Sequence, residues 1–193
     1  MKSICVYCGS SDKIGRIYLN AAYELGAELA ARGIRLVYGA GSTGLMGAVA
    51  NGVLENGGEV IGVIPELFNT PTLAHNGLTQ LEVVPNMHQR KARMAELSDA
   101  FIALPGGFGT MEELFEMLTW AQIGLHQKPI GVLNVKNYFN PLLEMIEKAN
   151  QEGFIYSEHR ALFTSVEDPR ALVKALSDHE PPQGLERWLT RKG

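Results

Sequence analysis

The chain has only two cysteines, no apolar run approaching twenty residues, and no surplus of positive charge. Each shortage removes a class of function. Cys5 and Cys8 form a C-x-x-C, but inside an apolar, β-branched run, where residues three apart face opposite sides of a strand. The pattern predicts buried thiols rather than a redox pair. With no second Cys/His pair at zinc-ligand spacing, no metal is expected. The opening MKSICVYCGSS is too short in apolar residues for a signal-peptide core or a membrane span, so no membrane association is expected and the cytoplasm is the expected compartment. Seventeen basic and 21 acidic residues are interspersed, for a net charge of -4. The broad positive field that attracts nucleic acids is therefore lacking, and any nucleotide ligand is expected to be small. Low-complexity tracts and repeats of solenoid length are lacking too.

What remains is an ordinary globular composition, 46% hydrophobic and 20% charged over 193 residues, enough for one domain with a substantial core. We assign residues 1–180 to that domain and 181–193 to a C-terminal tail. Short apolar runs (SICVYC, IRLVYG, EVIGVIP, LEVVP, AFIALP, PIGVLN and, weakly, ALFTS) alternate with helical stretches at Tyr18 to Arg32, Leu45 to Glu55, His88 to Ser98, Met111 to Gly124 and Pro141 to Glu152. The alternation predicts an α/β class: a single Rossmann-like domain with a central parallel sheet of about seven strands and helices on both faces. Ligands of such folds bind beyond the carboxyl ends of the strands. The glycine-rich segments fall there: CGSS with Gly9 and Ser10, GAGSTGLMG with Gly41 and Gly44, and PGGFGT. Glu66 to Thr79, with two prolines and little periodicity, reads as a mobile or substrate-facing loop.

GAGSTG, Gly39 to Gly44, fits G-x-G-x-x-G, and Glu66 stands where a ribose-binding acid would. It follows the second strand rather than the first, however, and no hydride-transfer histidine accompanies it. PGGFGT suits a monophosphate better. Gly106, Gly107 and Gly109 admit an anion to the backbone, Thr110 adds a hydroxyl, and the next helix offers free N–H groups. No Gly-Lys-Ser/Thr follows, which disfavours phosphoryl transfer from ATP. The adjacent carboxylates Glu112 and Glu113 then pose a question. Thr110-x-x-Glu113 matches a capping box. Alternatively, an apolar stripe of Met111, Leu114, Phe115 and Leu118 leaves Glu113 off the core side, close to the anion loop and facing a ligand. In NMHQRKARM, Arg90 shares an inward stripe with Met87, Met94 and Leu97, while Arg93 lies off it. An inward arginine is either a structural ion pair, a stem along apolar surface, or a fork onto phosphate or carboxylate. His88 reads as a capping or packing residue.

GAGSTGLMG, MHQRKARM and above all LPGGFGTMEELFEMLTWAQIG resemble the LOG family, the cytokinin riboside 5'-monophosphate phosphoribohydrolases, with signature P-G-G-x-G-T-x-x-E. The resemblance covers nearly all of the chain. It implies hydrolysis of adenine-type nucleoside 5'-monophosphates to free base and ribose 5-phosphate, without a cofactor, by a homodimer. It further implies Arg90 and Glu113 as the catalytic pair, with Lys91, Gly106, Gly107, Gly109, Thr110 and Thr119 lining the nucleotide site. The chain departs from plant members at ELFNTPTLAHNG, where those carry Pro-Arg-Glu-Leu. Two other readings stand beside this one: a noncatalytic nucleotide carrier or sensor, and an NAD-dependent oxidoreductase.

Overall fold

The computed structural model describes residues 1–182 and residue 185. Most of the expected 181–193 tail lies outside the described residues. Seven strands, β1 (Ser3–Tyr7), β2 (Arg35–Tyr38), β3 (Val60–Pro65), β4 (Gln80–Val84), β5 (Ala100–Ala103), β6 (Ile130–Leu133) and β7 (Phe163–Val166), form one sheet in the order β4-β3-β2-β1-β5-β6-β7. Every pairing is parallel, as the near-continuous apolar runs predict. The chain winds outward from β1 through β2, β3 and β4 on one side, then crosses over to β5, β6 and β7 on the other. The strand order therefore reverses between β1 and β5, and the loops leaving those two strands diverge to open a crevice.

The helices are α1 (Arg16–Ala31), α2 (Gly44–Glu55), α3 (Met87–Glu96), α4 (Phe108–Gln122), α5 (Asn140–Gln151) and α6 (Pro169–Ser177). Strand residues alternate between two cores. Ile4, Val6, Leu36 and Ile102 meet Leu25, Val49 and Leu172 of α1, α2 and α6 on one face. Cys5, Tyr7, Val37 and Phe101 meet Met94 of α3 and Leu114 and Met117 of α4 on the other. Cys5 and Cys8 fall in opposite cores, both free and buried, as the period of a strand requires.

Helix α6 is absent from the helical stretches read in the sequence. It is only nine residues long, but Asp168 Oδ1 accepts from the Ala171 N–H at 2.7 Å, Pro169 occupies its first turn, and Leu172, Val173 and Leu176 are buried. The segment from Glu66 to Thr79 is tied down over the GAGSTG loop. Ser42 N donates to the Leu73 carbonyl at 3.0 Å, His75 N donates to the Ala40 carbonyl at 2.9 Å, and Gly41 bridges to Ala74.

Candidate active site

Three loops converge at the switch point. Gly9 N donates to the Pro105 carbonyl at 3.1 Å, stitching the loop after β1 to the loop after β5. Leu45 and Met46, opening α2, both donate their N–H groups to the Gly9 carbonyl at 2.9 and 3.3 Å, and Thr43 Oγ1 donates to the Ser10 carbonyl at 2.7 Å. Two N–H groups of the helix start that would hold a dinucleotide pyrophosphate are thus already taken by protein, with Gly44 packed on the Ser10–Ser11 backbone. The GAGSTG loop acts as a buttress, with Gly44 packed against the loop after β1 and Gly41 bridged to Ala74.

The start of α4 is different. Its N-cap is Gly107, with no capping side chain, and among the described residues no acceptor takes the N–H groups of Phe108, Gly109 or Thr110. These free donors, at the positive end of the helix dipole, are suited to hold an anion. Gly106 is required by close approach: a Cβ there would stand 2.1 Å from Thr110 Oγ1 and 2.8 Å from Gly9 N. Tyr138 Oη donates to the Gly106 carbonyl at 2.7 Å and fixes the loop. Beside it opens a cavity of about 330 Å³ lined by Gly9, Ser10, Gly106 and Gly107 together with the rings of Tyr18 and Tyr138.

Because α4 begins at Phe108, Thr110 is its third residue and not its N-cap, so the capping box with Glu113 does not form. The expected stripe is also corrected. The buried positions of α4 are Thr110, Glu113, Leu114, Met117 and Ala121, while Phe115 is exposed. Glu113 sits on the core side, only 8% exposed. Hydrophobicity alone had assigned it to the other side, because a carboxylate is counted as a solvent residue in any apolar stripe.

Arg90 reaches the same place from α3. Its Nη2 lies 3.7 Å from Glu113 Oε1, both side chains nearly buried. The guanidinium lies so close to the end of β2 that a Cβ on Gly39 would meet Nη2 at 1.7 Å. Arg90 Nη1 donates to Met87 Sδ at 3.3 Å, and its Nε is buried without a partner. Met87 itself is exposed, correcting its expected place on the inward stripe. It occupies the first turn of α3, ahead of the sheet contact. Burial pushes the Glu113 carboxyl up to about 7, against the opposing pull of Arg90; Glu112 adds to the rise, Lys91 opposes it, and Glu116 adds to it. A carboxylate that changes charge near neutrality beside an arginine suits acid–base or electrostatic work.

Other expected residues fall elsewhere. Lys91 does not point a free ammonium at a nucleotide: its Nζ donates to Glu112 Oε1 and, at 3.0 Å, to Glu116 Oε1. Glu112 is correspondingly a partner of Lys91 on the rim. Thr119 lies three turns into α4, with its hydroxyl donating to the Phe115 carbonyl at 2.7 Å, and it lines a separate apolar cavity of about 230 Å³ between α4 and α5. In the single chain it does not join the anion loop. His88 is exposed, and the cap of α3 is Asn86, whose Oδ1 accepts from Gln89 N at 3.0 Å. Arg93 forks onto Glu82 of β4 at 2.7 and 3.1 Å. The sequence reading missed Tyr138 and Glu116. Glu116 had a signal, four residues beyond Glu112 on one helix face; Tyr138 had none.

The chain matches a family model described as "Possible lysine decarboxylase" over residues 46–176. It is 51% identical over 180 residues to a cytokinin riboside 5'-monophosphate phosphoribohydrolase of Arabidopsis thaliana, covering 93% of this chain and 84% of that protein. A probable cytokinin riboside 5'-monophosphate phosphoribohydrolase of Oryza sativa subsp. japonica is 50% identical over 180 residues, 93% of this chain and 74% of that protein. Among solved structures, the molybdenum cofactor binding protein of Rippkaea orientalis superposes with a TM-score of 0.71 at 22% identity, over 92% of this chain and 97% of that one. The molybdenum cofactor carrier protein of Chlamydomonas reinhardtii superposes with a TM-score of 0.69 at 25% identity, over 92% and 99%. The structural likenesses establish the fold.

Proposed function

We propose, for a chain that belongs to the LOG family of cytokinin riboside 5'-monophosphate phosphoribohydrolases, hydrolysis of the N-glycosidic bond of adenine-type nucleoside 5'-monophosphates, AMP or its N6-modified forms, to free base and ribose 5-phosphate. The observation that carries the reading is the buried Glu113–Arg90 pair at 3.7 Å, about one helical turn beyond the free N–H groups of Phe108, Gly109 and Thr110. The 5'-phosphate occupies the Gly107–Thr110 turn. That anchorage sets the anomeric carbon against Glu113, and binding energy from the non-reacting phosphate is used for positioning at the reacting carbon.

As the bond between the anomeric carbon and the base nitrogen breaks, its electron pair leaves with the base and positive charge grows on the ribose. Ionised Glu113 stabilises that charge and takes a proton from the water that attacks the anomeric carbon; the departing base takes up a proton in turn. Arg90 orients the carboxylate and favours its charged form. The decarboxylase named by the family model is a poorer fit. A Schiff-base lysine must lose its proton to react, whereas Lys91, next to Arg90, is held charged by two carboxylates.

The fold shared with molybdenum cofactor binding and carrier proteins favours one rival, a nucleotide carrier. A panel of nucleoside 5'-monophosphates, with free base followed by chromatography, separates the two: a carrier binds without releasing base. The proposal extends to one catalytic domain spanning 1–180, a homodimer and a cytoplasmic location; no helix among the described residues is long and apolar enough to cross a membrane.

A further inference from the structure

Two consecutive cations on α3 meet three carboxylates on α4. Arg90 faces Glu113, while Lys91, its side chain 11% exposed, is shared between Glu112 and Glu116. These two acceptors flank Glu113 in the chain, one residue before it and three after. Glu116 is the more buried of the two, and its Oε2 has no hydrogen-bond partner. With Lys91 removed, Glu116 would be a half-buried carboxylate with its Oε2 shut from solvent and no counter-charge, a costly arrangement.

Among the described residues, the remaining titratable groups facing Glu113 are Cys5 and Tyr7 of β1 and Cys8 just beyond its end. Burial raises all three, so they stay neutral around pH 7. The charge balance at Glu113 is therefore set by Arg90 and Lys91 against Glu112 and Glu116. Burial alone would depress the Lys91 ammonium, but its hydrogen bonds to Glu112 and Glu116 outweigh burial and hold it above its ordinary value. It remains charged throughout the working range.

We propose that Lys91 is a positioning residue for the reaction: clamped between Glu112 and Glu116, it holds α3 against α4 and neutralises the two carboxylates beside Glu113, so that Glu113 meets the substrate ionised and opposite Arg90. The inference rests on the reading of Glu113 as the reactive carboxylate. It gives Lys91 a task that needs no contact with the nucleotide, consistent with an ammonium already bonded on two sides.

The test measures adenine release from AMP across pH 5 to 9 for the full chain, Lys91→Met, Lys91→Arg, the triple variant Lys91→Met/Glu112→Gln/Glu116→Gln, and Glu113→Gln. Loss of Lys91 leaves two like charges beside Glu113. We expect the acid limb of kcat/KM in Lys91→Met to move up by about one pH unit, kcat at pH 7 to fall about fivefold, and KM for AMP to stay within about twofold. Lys91→Arg, which keeps the charge, retains the parental limb. The triple variant, which removes the excess carboxylates with the lysine, returns the limb to the parental position or below, and it carries the test should Lys91→Met not fold. Circular dichroism of each variant identifies those that fold. A KM raised tenfold or more with an unmoved limb would make Lys91 a phosphate ligand and overturn the inference; unchanged rate and limb in Lys91→Met would also overturn it. If the parent releases no base, or if Glu113→Gln turns over normally, the reading of Glu113 falls. If both behave as expected and only the Lys91→Met limb fails to move, the Lys91 inference falls alone.

Discussion

Glu113 should be a residue that costs stability where it serves turnover, and Glu113→Gln exposes that cost. Burial raises its carboxyl from the ordinary 4.5 to about 7. Below pH 4.5 the group is protonated in folded and unfolded chains alike and contributes no difference. As pH rises from 4.5 through 7 the unfolded chain ionises first, so stability is lost across that window, and the loss is complete above the folded value. At about 1.4 kcal/mol for each tenfold, the rise corresponds to roughly 3 kcal/mol. Glutamine keeps the shape without titrating. Glu113→Gln should therefore gain on the parent between pH 5 and pH 8 by up to about 3 kcal/mol, or roughly 6–12 °C in melting temperature for a chain of this size. The absolute gain at pH 8 is smaller, because the variant leaves Arg90 without its counter-charge. The same variant should lose adenine release from AMP by at least about a hundredfold, an exchange of function for stability. Urea titrations at pH 5 and pH 8 measure the difference. A gap between parent and variant that stays flat or narrows with pH would show that Glu113 is not held in a desolvated site.

The same carboxylate predicts the rate profile: kcat/KM for AMP should be full at alkaline pH and fall as pH drops through about 7, as Glu113 protonates; a profile flat from pH 5 to 8 would argue against an ionised Glu113. Arg90→Lys keeps the charge but loses the planar fork and should reduce kcat at least about tenfold. Arg93→Lys should leave turnover near parental, since Arg93 is engaged with Glu82 on the sheet edge; comparable losses at both positions would undo the assignment of Arg90. Gly106→Ala drives a methyl into Thr110 Oγ1 and the Gly9 backbone, so AMP turnover should fall at least about a hundredfold with a stability cost of roughly 1–3 kcal/mol, read by adenine release and thermal melts.

The five central strands were legible because a parallel sheet buried on both faces needs near-continuous apolar runs, and SICVYC, IRLVYG, EVIGVIP, AFIALP and PIGVLN supply them; the edge strands β4 and β7, partly exposed, carry the weaker runs LEVVP and ALFTS. The convergence of the glycine loops followed from fold class alone. Within those loops the sequence could not distinguish helix starts with free donors from those already satisfied. GAGSTG and PGGFGT look alike as motifs, yet the Gly9 carbonyl takes the Leu45 and Met46 N–H groups of α2, while among the described residues no acceptor takes those of Phe108, Gly109 and Thr110 in α4. The first turn of α4 was read three residues late because Thr110 resembles an N-cap and the glycines before it resemble loop. The side of Glu113 was misjudged because periodicity ranks carboxylates as exposed, and an active site is where that rule fails. Lys91 and its partners on α4 are 21 and 25 residues apart, a pairing that depends on how α3 packs beside α4 and has no local signature.

The division of labour between loop and carboxylate is tested most directly by steady-state release of adenine from AMP and adenosine, measured side by side with the parent and Glu113→Gln. The scissile bond is the same in both substrates, so only the phosphate anchor differs. The account predicts that the parent uses AMP, that adenosine shows a lower kcat as well as a higher KM, because the phosphate's binding energy is used at the anomeric carbon, and that Glu113→Gln is nearly inactive on both. Comparable kcat values for AMP and adenosine in the parent would contradict it, as would near-parental turnover of AMP by Glu113→Gln.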